Sequence, residues 1–150
     1  MGVRVTDEVM TRLGAAMELA QRGDREAARE RFTELWAEAS DPLHRCMIAH
    51  HLADQQDDPR EELRWDLLAL ETASSITDER TAEAGATGSV RAFYPSLHLN
   101  LGDVYRRLGE LSLAREHLEL GLAAVDALGD DGYGQLIRTG LDRLAERLAA

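Results

Sequence analysis

The amino-acid sequence predicts an all-α protein, and two observations lead to that prediction. Alanine, leucine, glutamate and arginine, all strong helix formers, dominate the composition. Residues that start or end helices recur along the chain, and no segment alternates apolar and polar residues over the length of a strand. We therefore expect helices packed on helices in a single domain, residues 1–150, which is long enough to bury a hydrophobic core.

Aspartates mark several of the predicted helix starts. Asp24 precedes a stretch with apolar residues at helical spacing, and Asp41 and Asp58 are each followed by proline, which suits the first helical position. Asp24 and Asp58 are 34 residues apart, the length of a repeat built from two antiparallel helices. The spacing predicts repeats at about 7–40, 42–73 and 94–128, with an insertion at 74–93.

The insertion is richer in serine, threonine and glycine than its surroundings. Thr77 is expected to cap a short helix that runs to about Ala84, before Gly85 and Gly88 loosen the chain. An N-terminal extension of the next helix is the alternative. We expect a partly helical connector.

Residues 96–125 carry a family resemblance. Their sequence, SLHLNLGDVYRRLGELSLAREHLELGLAAV, resembles the tetratricopeptide-repeat consensus at Leu101-Gly102, Tyr105, Gly109, Ala114, Leu118 and Gly121. Gly102 and Ala114 stand where two helices of a pair would approach closely. Gly109 supplies the turn, where a positive φ costs glycine little.

The other two repeats match the consensus less well. Ala15-Ala16 replaces Leu-Gly in the first, and Glu61 or Glu62 stands at the small position of the second. The segments LRWDLLALETA, TDER and FYPSLHLNLGDVYRRLG look like those of small actinobacterial repeat proteins. The resemblance implies a right-handed superhelix of antiparallel helix pairs, a TPR-like α-solenoid of about three repeats. A helix at 131–149, started by Asp130 or Asp131, is expected to cap its apolar end.

Charge and composition restrict the partners that we expect. The net charge is -11, and the 17 basic residues, all arginine, are scattered among 28 acidic ones. We expect neither nucleic acid nor a membrane as a partner, because phosphate-binding surfaces need clustered basic residues. The N-terminus lacks the apolar core of a secretion signal, so we expect the cytoplasm. The single Cys46 excludes an internal disulfide.

The resemblance implies a non-enzymatic scaffold that holds a protein or peptide in a concave groove and needs no cofactor. It assigns to that groove His50, Asp54, His98, Asn100, Asp103, Arg106 and Arg107. Asn100 with Arg107 could receive a peptide carboxylate, although the lysines of the family's carboxylate clamp are missing. Self-association as a homodimer, which would cover an exposed apolar end, is the alternative.

A chemical alternative lies at 44–54, HRCMIAHHLAD. Cys46, His50 and Asp54 share one helix face at four-residue steps, which could bind zinc in a metal-dependent enzyme. His50 with Asp54 could also act as a base with its orienting carboxylate. We favour a buried cysteine and ordinary helix-surface histidines, because no catalytic motif accompanies them. His98 is expected at the groove edge and His117 on the surface.

Overall fold

The computed structural model describes residues 8–83 and 90–150, and the prediction of an all-α fold is confirmed for them. They form eight α-helices and no strand. The expected loosening of the chain at Gly85 and Gly88, the end of the short helix at Ala84 and the start of the first repeat at residue 7 lie outside the described residues. None of the described helices is long and apolar enough to cross a membrane. The helices are α1 (Glu8–Gln21), α2 (Arg25–Glu38), α3 (Pro42–Asp54), α4 (Pro59–Ala73), α5 (Asp78–Glu83), α6 (Tyr94–Arg107), α7 (Leu111–Ala123) and α8 (Gly132–Ala149).

The chain consists of two compact units, Met1–Thr72 and Ala73–Ala150. Unit 1 holds α1 to α4 up to Thr72, and unit 2 holds α5 to α8. The boundary falls where the predicted second repeat meets the predicted insertion. Each unit has its own buried apolar residues, so each is described separately.

Unit 1 is built from helices that run up and down in sequence. Arg12 near the start of α1 pairs with Glu38 at the end of α2 through two bonds of 2.7 and 3.0 Å, so these helices are antiparallel. The Phe32 ring of α2 stacks on His51 of α3, with centroids 5.6 Å apart. The core residues of α1 to α3 are nearly inaccessible to water: Leu13, Ala16, Ala28, Phe32, Leu35, Ile48, Ala49 and Leu52.

Unit 2 also contains an antiparallel hairpin, in which glycines stand at the helix contacts. A Cβ on Gly102 of α6 would lie 3.3 Å from the Ala114 carbonyl oxygen, and one on Gly121 would lie 3.6 Å from the Pro95 carbonyl oxygen. The later residue of α6 contacts the earlier residue of α7, and the reverse holds for the other pair. The two helices therefore form an antiparallel hairpin. The predicted close approach of Gly102 and Ala114 is therefore confirmed.

The last helix, α8, runs parallel to α6. A Cβ on Gly140 would lie 2.6 Å from Leu99 Cδ2, and further along both helices Arg147 Nη1 lies 3.9 Å from Asp103 Oδ1. The apolar side of α8 packs on α7 in a cluster formed by Ala114, Leu118, Leu128, Ile137, Leu141, Leu144 and Leu148.

Most of the predicted helix caps are confirmed. The side chains of Asp41, Asp58 and Asp131 accept hydrogen bonds from backbone N–H groups two or three residues ahead, at 2.9 to 3.0 Å. Thr77 accepts in the same way from the Arg80 N–H at 3.1 Å and starts α5. Asp24 occupies the N-cap position of α2 as predicted, but its side chain makes no capping hydrogen bond. Its ψ of 66° is not the extended conformation that aims a capping oxygen at the first turn.

Arginines from neighbouring helices hold several interhelical connections. Arg138 Nη1 donates to the Gly129 carbonyl at 2.9 Å, and Arg138 Nη2 donates to those of Val125 and Leu128 at 3.2 Å. Arg45 donates to two carbonyls at the end of α2 and lies over the Trp36 ring, 3.6 Å from its centroid. A guanidinium suits this position because its planar fork of donors can reach several carbonyls at once.

Candidate functional site

The predicted site residues of α3 lie in unit 1. His50 is half-buried and its burial lowers its imidazole pKa. His51 stacks on Phe32, and burial, followed by repulsion from His50, lowers the pKa of His51 to about 4. Both imidazoles are therefore neutral near pH 7. The stacking on Phe32 makes His51 a packing residue as well as a titratable one.

Asp54 ends α3 beside these histidines. Its side chain is exposed, yet the surrounding protein limits its solvation enough to raise the carboxyl pKa to about 6. Attraction to His51 opposes that shift, and Glu62 adds to it. Asp54 therefore interacts electrostatically with His51, whereas the sequence suggested His50 as its partner.

Cys46 is engaged in the interior of unit 1. Its thiol donates to the Ala69 carbonyl of α4 at 3.4 Å, and burial raises the thiol pKa to about 12. A thiol held protonated in this way is a poor metal ligand, because metals bind the thiolate. Within residues 8–83 and 90–150, no group of three or more His, Cys, Asp or Glu side chains is arranged to hold a metal ion.

The predicted site residues of α6 form a charged cluster in unit 2. The Asp103 carboxylate accepts from Arg106 Nη2 at 2.9 Å and from Arg107 Nε at 3.0 Å. All three side chains are about one third exposed or slightly less. Asn100, one helical turn before Asp103, is half-buried. Three of the predicted residues thus meet in one ion-pair network.

Helix α8 contributes to the same surface, which the sequence did not predict. Arg147 approaches Asp103 to 3.9 Å, so a third guanidinium joins the cluster. Leu136 and Arg143 share a side of α8 with Arg147, because spacings of four and seven residues repeat a helical face. Leu136 is 67% exposed, the most exposed large apolar side chain in the described part of the chain. We call this surface the α6–α8 face, defined by Asn100, Asp103, Arg106, Arg107, Leu136, Arg143 and Arg147.

His98 occupies a different place from the rest of the predicted groove. It is 8% exposed and lies between α6 and α7, where its Nδ1 is 3.0 Å from Nδ1 of His117. His117 is half-buried rather than a surface residue, so that expectation was wrong. The contact between Gly102 and Ala114 explains why the two rings meet. His98 lies four residues before Gly102 and His117 lies three residues after Ala114, so the antiparallel hairpin brings them together.

Comparisons with family models, with curated proteins and with solved structures give no match for this chain.

Proposed function

We propose that this chain is a non-enzymatic scaffold whose α6–α8 face binds an acidic segment of a partner protein or peptide. The observation that carries the proposal is the convergence of Arg106, Arg107 and Arg147 on the single carboxylate of Asp103. Three guanidiniums thus bring positive charge to one place on the surface of unit 2. That charge stands out in a chain whose net charge is -11.

The geometry suits a carboxylate ligand. Each guanidinium has five N–H donors in a planar fork, and Asp103 accepts from one donor of Arg106 and one of Arg107. Arg106 Nε is buried without a hydrogen-bond partner among the described residues. Planar pairing of guanidinium with carboxylate is the arrangement that gives arginine its specificity for acidic groups.

The tetratricopeptide resemblance supports the same face. In that family the first helices of successive repeats lie side by side and line the groove. The parallel helices α6 and α8 match such a pair, and Asn100 and Arg107 are the residues that the resemblance assigns to carboxylate binding. A TPR-like solenoid fold, a cytoplasmic location and the absence of catalysis belong to this proposal.

A binding experiment with defined probes tests the proposal. Fluorescence anisotropy would compare an acidic peptide with a free C-terminal carboxylate, its amidated form and a neutral peptide of equal length. We expect the acidic peptide to bind more tightly, with an affinity that falls as salt is added. Arg107→Gln with Arg147→Gln should weaken binding at least tenfold. Equal affinity for all three peptides would contradict the proposal.

A matched control and a native partner search complete the test. Arg64→Gln removes an arginine of equal exposure to Arg147 from a surface pair with Glu61 in unit 1, and binding should be unchanged. Affinity capture with the intact chain should yield a dominant partner that the Asn100→Ala, Arg107→Ala double variant loses.

A homodimer is the second candidate, favoured by the outer surface of α7. Leu113 and Leu120, seven residues apart on one helix side, are 38% and 45% exposed. Burying them between two copies would remove apolar surface from water. Light scattering over a concentration series tests this, and Leu113→Ser with Leu120→Ser should abolish any dimer that forms.

A further inference from the structure

Two histidines join the helices of the α6–α7 hairpin. His98 Nδ1 and His117 Nδ1 are 3.0 Å apart, which is hydrogen-bonding distance. Their ring centroids are 5.2 Å apart. This is nearly the Nδ1–Nδ1 distance plus the radii of the two rings, as expected when the two Nδ1 atoms lie between the centroids. The rings therefore meet edge to edge through their Nδ1 atoms, with an angle of 27° between their planes. We call His98 and His117 the histidine dyad.

The dyad can carry one positive charge but not two. A neutral imidazole has one donor and one acceptor nitrogen, so one Nδ1 must donate while the other accepts. A first added proton can go to the far nitrogen of the donor ring and leave this hydrogen bond intact. A second makes both Nδ1 atoms donors, which sets two N–H groups and two positive charges against each other at 3.0 Å.

The surroundings keep the dyad neutral near pH 7. Burial, assisted by His117, lowers the pKa of His98 to about 4, and burial lowers the pKa of His117 against an opposing attraction to Glu116. The α6 tyrosines flank the pair, Tyr94 at 6.0 Å from His98 and Tyr105 at 5.5 Å from His117 between ring centroids. From α8, the apolar Leu141 packs on Gly121, which also lies beside His98.

We propose that the histidine dyad is an acid-operated latch, which holds the α6–α7 hairpin closed at neutral pH and opens it when both rings are protonated. The dyad stands on the side of Gly102 and Ala114 away from the Gly109 turn, toward the open end of the hairpin. Separation there exposes both imidazolium rings to water, while the turn still joins the helices. The packing of Gly121 on Pro95 and His98 is lost in the same step.

The pH dependence follows from proton linkage. In the open form both rings regain an ordinary pKa of about 6.5, whereas in the closed form they bind protons only at lower pH. Between these values the open form holds more protons, so lowering the pH favours opening. Two rings change the open-to-closed ratio by up to about 100-fold per pH unit, and one ring by about tenfold.

Nitrogen-15 NMR of histidine side chains in the intact chain, with amide hydrogen exchange, tests the latch. At pH 7.5 we expect one ring of the dyad protonated at Nδ1 and the other at Nε2. As the pH falls toward 3.5, both rings should titrate together, and exchange at Ala114 and Gly121 should accelerate relative to the intrinsic rate of a free amide at the same pH. His117→Gln keeps a hydrogen-bonding group but removes one titrating ring, so exchange should depend less steeply on pH, by about tenfold per pH unit.

Controls separate the latch from general acid unfolding. His50→Gln in unit 1 should leave the pH dependence of exchange in α6 and α7 unchanged. The proposal is overturned if both dyad rings titrate near pH 6.5 without faster exchange in the hairpin. It is also overturned if His117→Gln leaves the steepness unaltered. Should that variant not fold, the wild-type titration alone decides.

Discussion

Two helical hairpins, α1–α2 in unit 1 and α6–α7 in unit 2, have the same pattern of helices and turn. Equivalent residues are 86 positions apart in the sequence, as Ala16 and Gly102 are. Helices α1 and α6 each have 14 residues. Both turns contain a glycine with positive φ, 87° at Gly23 and 83° at Gly109. In each, the next N–H donates to a carbonyl five residues earlier, Asp24 to Leu19 at 3.0 Å and Glu110 to Tyr105 at 2.9 Å.

The side chains that fill this shared backbone differ. Gly102 in the second hairpin has Ala16 as its counterpart in the first, and both are buried. A Cβ at Gly102 would lie 2.6 Å from Leu144 Cδ2, so the absent side chain lets α8 pack against the hairpin. The turn and the helix lengths thus set the conformation of each hairpin. The small residue at the helix contact determines which neighbouring helix can pack against it.

The histidine dyad also has counterparts in the first hairpin. Arg12 and Arg31 stand at the positions of His98 and His117. They turn outward, Arg12 to Glu38 at 2.7 Å and Arg31 to Glu34 at 3.5 Å. Both arginines help to line a cleft of about 310 Å³ in unit 1. The same backbone therefore supports a partly buried hydrogen bond in one hairpin and surface ion pairs beside a cleft in the other.

The largest effect is expected from filling the glycine contact. Gly102→Val should lower the free energy of unfolding by about 2–3 kcal/mol, because its Cβ would overlap Leu144 and crowd the Ala114 carbonyl. Chemical denaturation measures the change. Gly14→Val in the first hairpin, where a Cβ meets no atom within 4 Å, is the matched control and should not destabilise. Equal losses in both variants would show that the contact does not limit packing.

A loss of about 1–2 kcal/mol is expected from Arg138→Lys. An ammonium cannot reach all three carbonyls that the guanidinium holds, and hydrogen bonds to charged groups are worth more than neutral ones. Thermal unfolding measures the loss, which amide exchange should assign to unit 2. Arg64→Lys, in a surface pair of unit 1, should change stability by a few tenths of a kcal/mol. Similar losses in both would argue against a special role for Arg138.

Two aspartates that precede helices of unit 1 are expected to differ in their contribution to stability. Asp41→Ala should cost about 1 kcal/mol, because its carboxylate caps α3 by accepting from the Leu43 N–H. Asp24→Ala should cost much less, since its side chain makes no capping hydrogen bond. Denaturation midpoints of the two variants measure the difference. A larger loss for Asp24→Ala would contradict the cap geometry.

The smallest effect is a gain. Gly14→Ala should stabilise α1 by roughly 0.5–1 kcal/mol, because alanine loses less backbone entropy in a helix and a Cβ at this position meets open space. The melting temperature should rise. A fall would mean that the exposed side of α1 has a contact that needs a glycine.

The helices and most caps could be predicted from the sequence because they depend on local chemistry. Proline after Asp41 and Asp58 marks helix starts, and Gly109 marks a turn, whatever the rest of the chain does. The dyad depends on which residues face each other across two helices. It was missed because His98 and His117 were considered one at a time, although the Gly102–Ala114 contact fixes the register that pairs them.

The charged face could be predicted only in part, for a similar reason. Asn100, Asp103, Arg106 and Arg107 share one helix, so their spacing alone brings them together. Arg147 is 40 or more residues away from them in sequence, and its approach to Asp103 requires knowing that α8 runs parallel to α6. Asp24 stands at the N-cap position as predicted, but its side chain makes no capping hydrogen bond, because its ψ angle depends on the local turn and not on the residue type alone.

Tryptophan occurs only in unit 1 and tyrosine only in unit 2, so each unit has its own intrinsic optical signal. Trp36 and Trp65, the only two tryptophans, meet edge to face in unit 1 with centroids 5.1 Å apart. All three tyrosines, Tyr94, Tyr105 and Tyr133, belong to unit 2. Selective excitation of tryptophan therefore reports the surroundings of two residues of unit 1. Tyrosine bands, once separated from the overlapping tryptophan absorbance, report unit 2, so one unlabelled sample carries a signal from each unit.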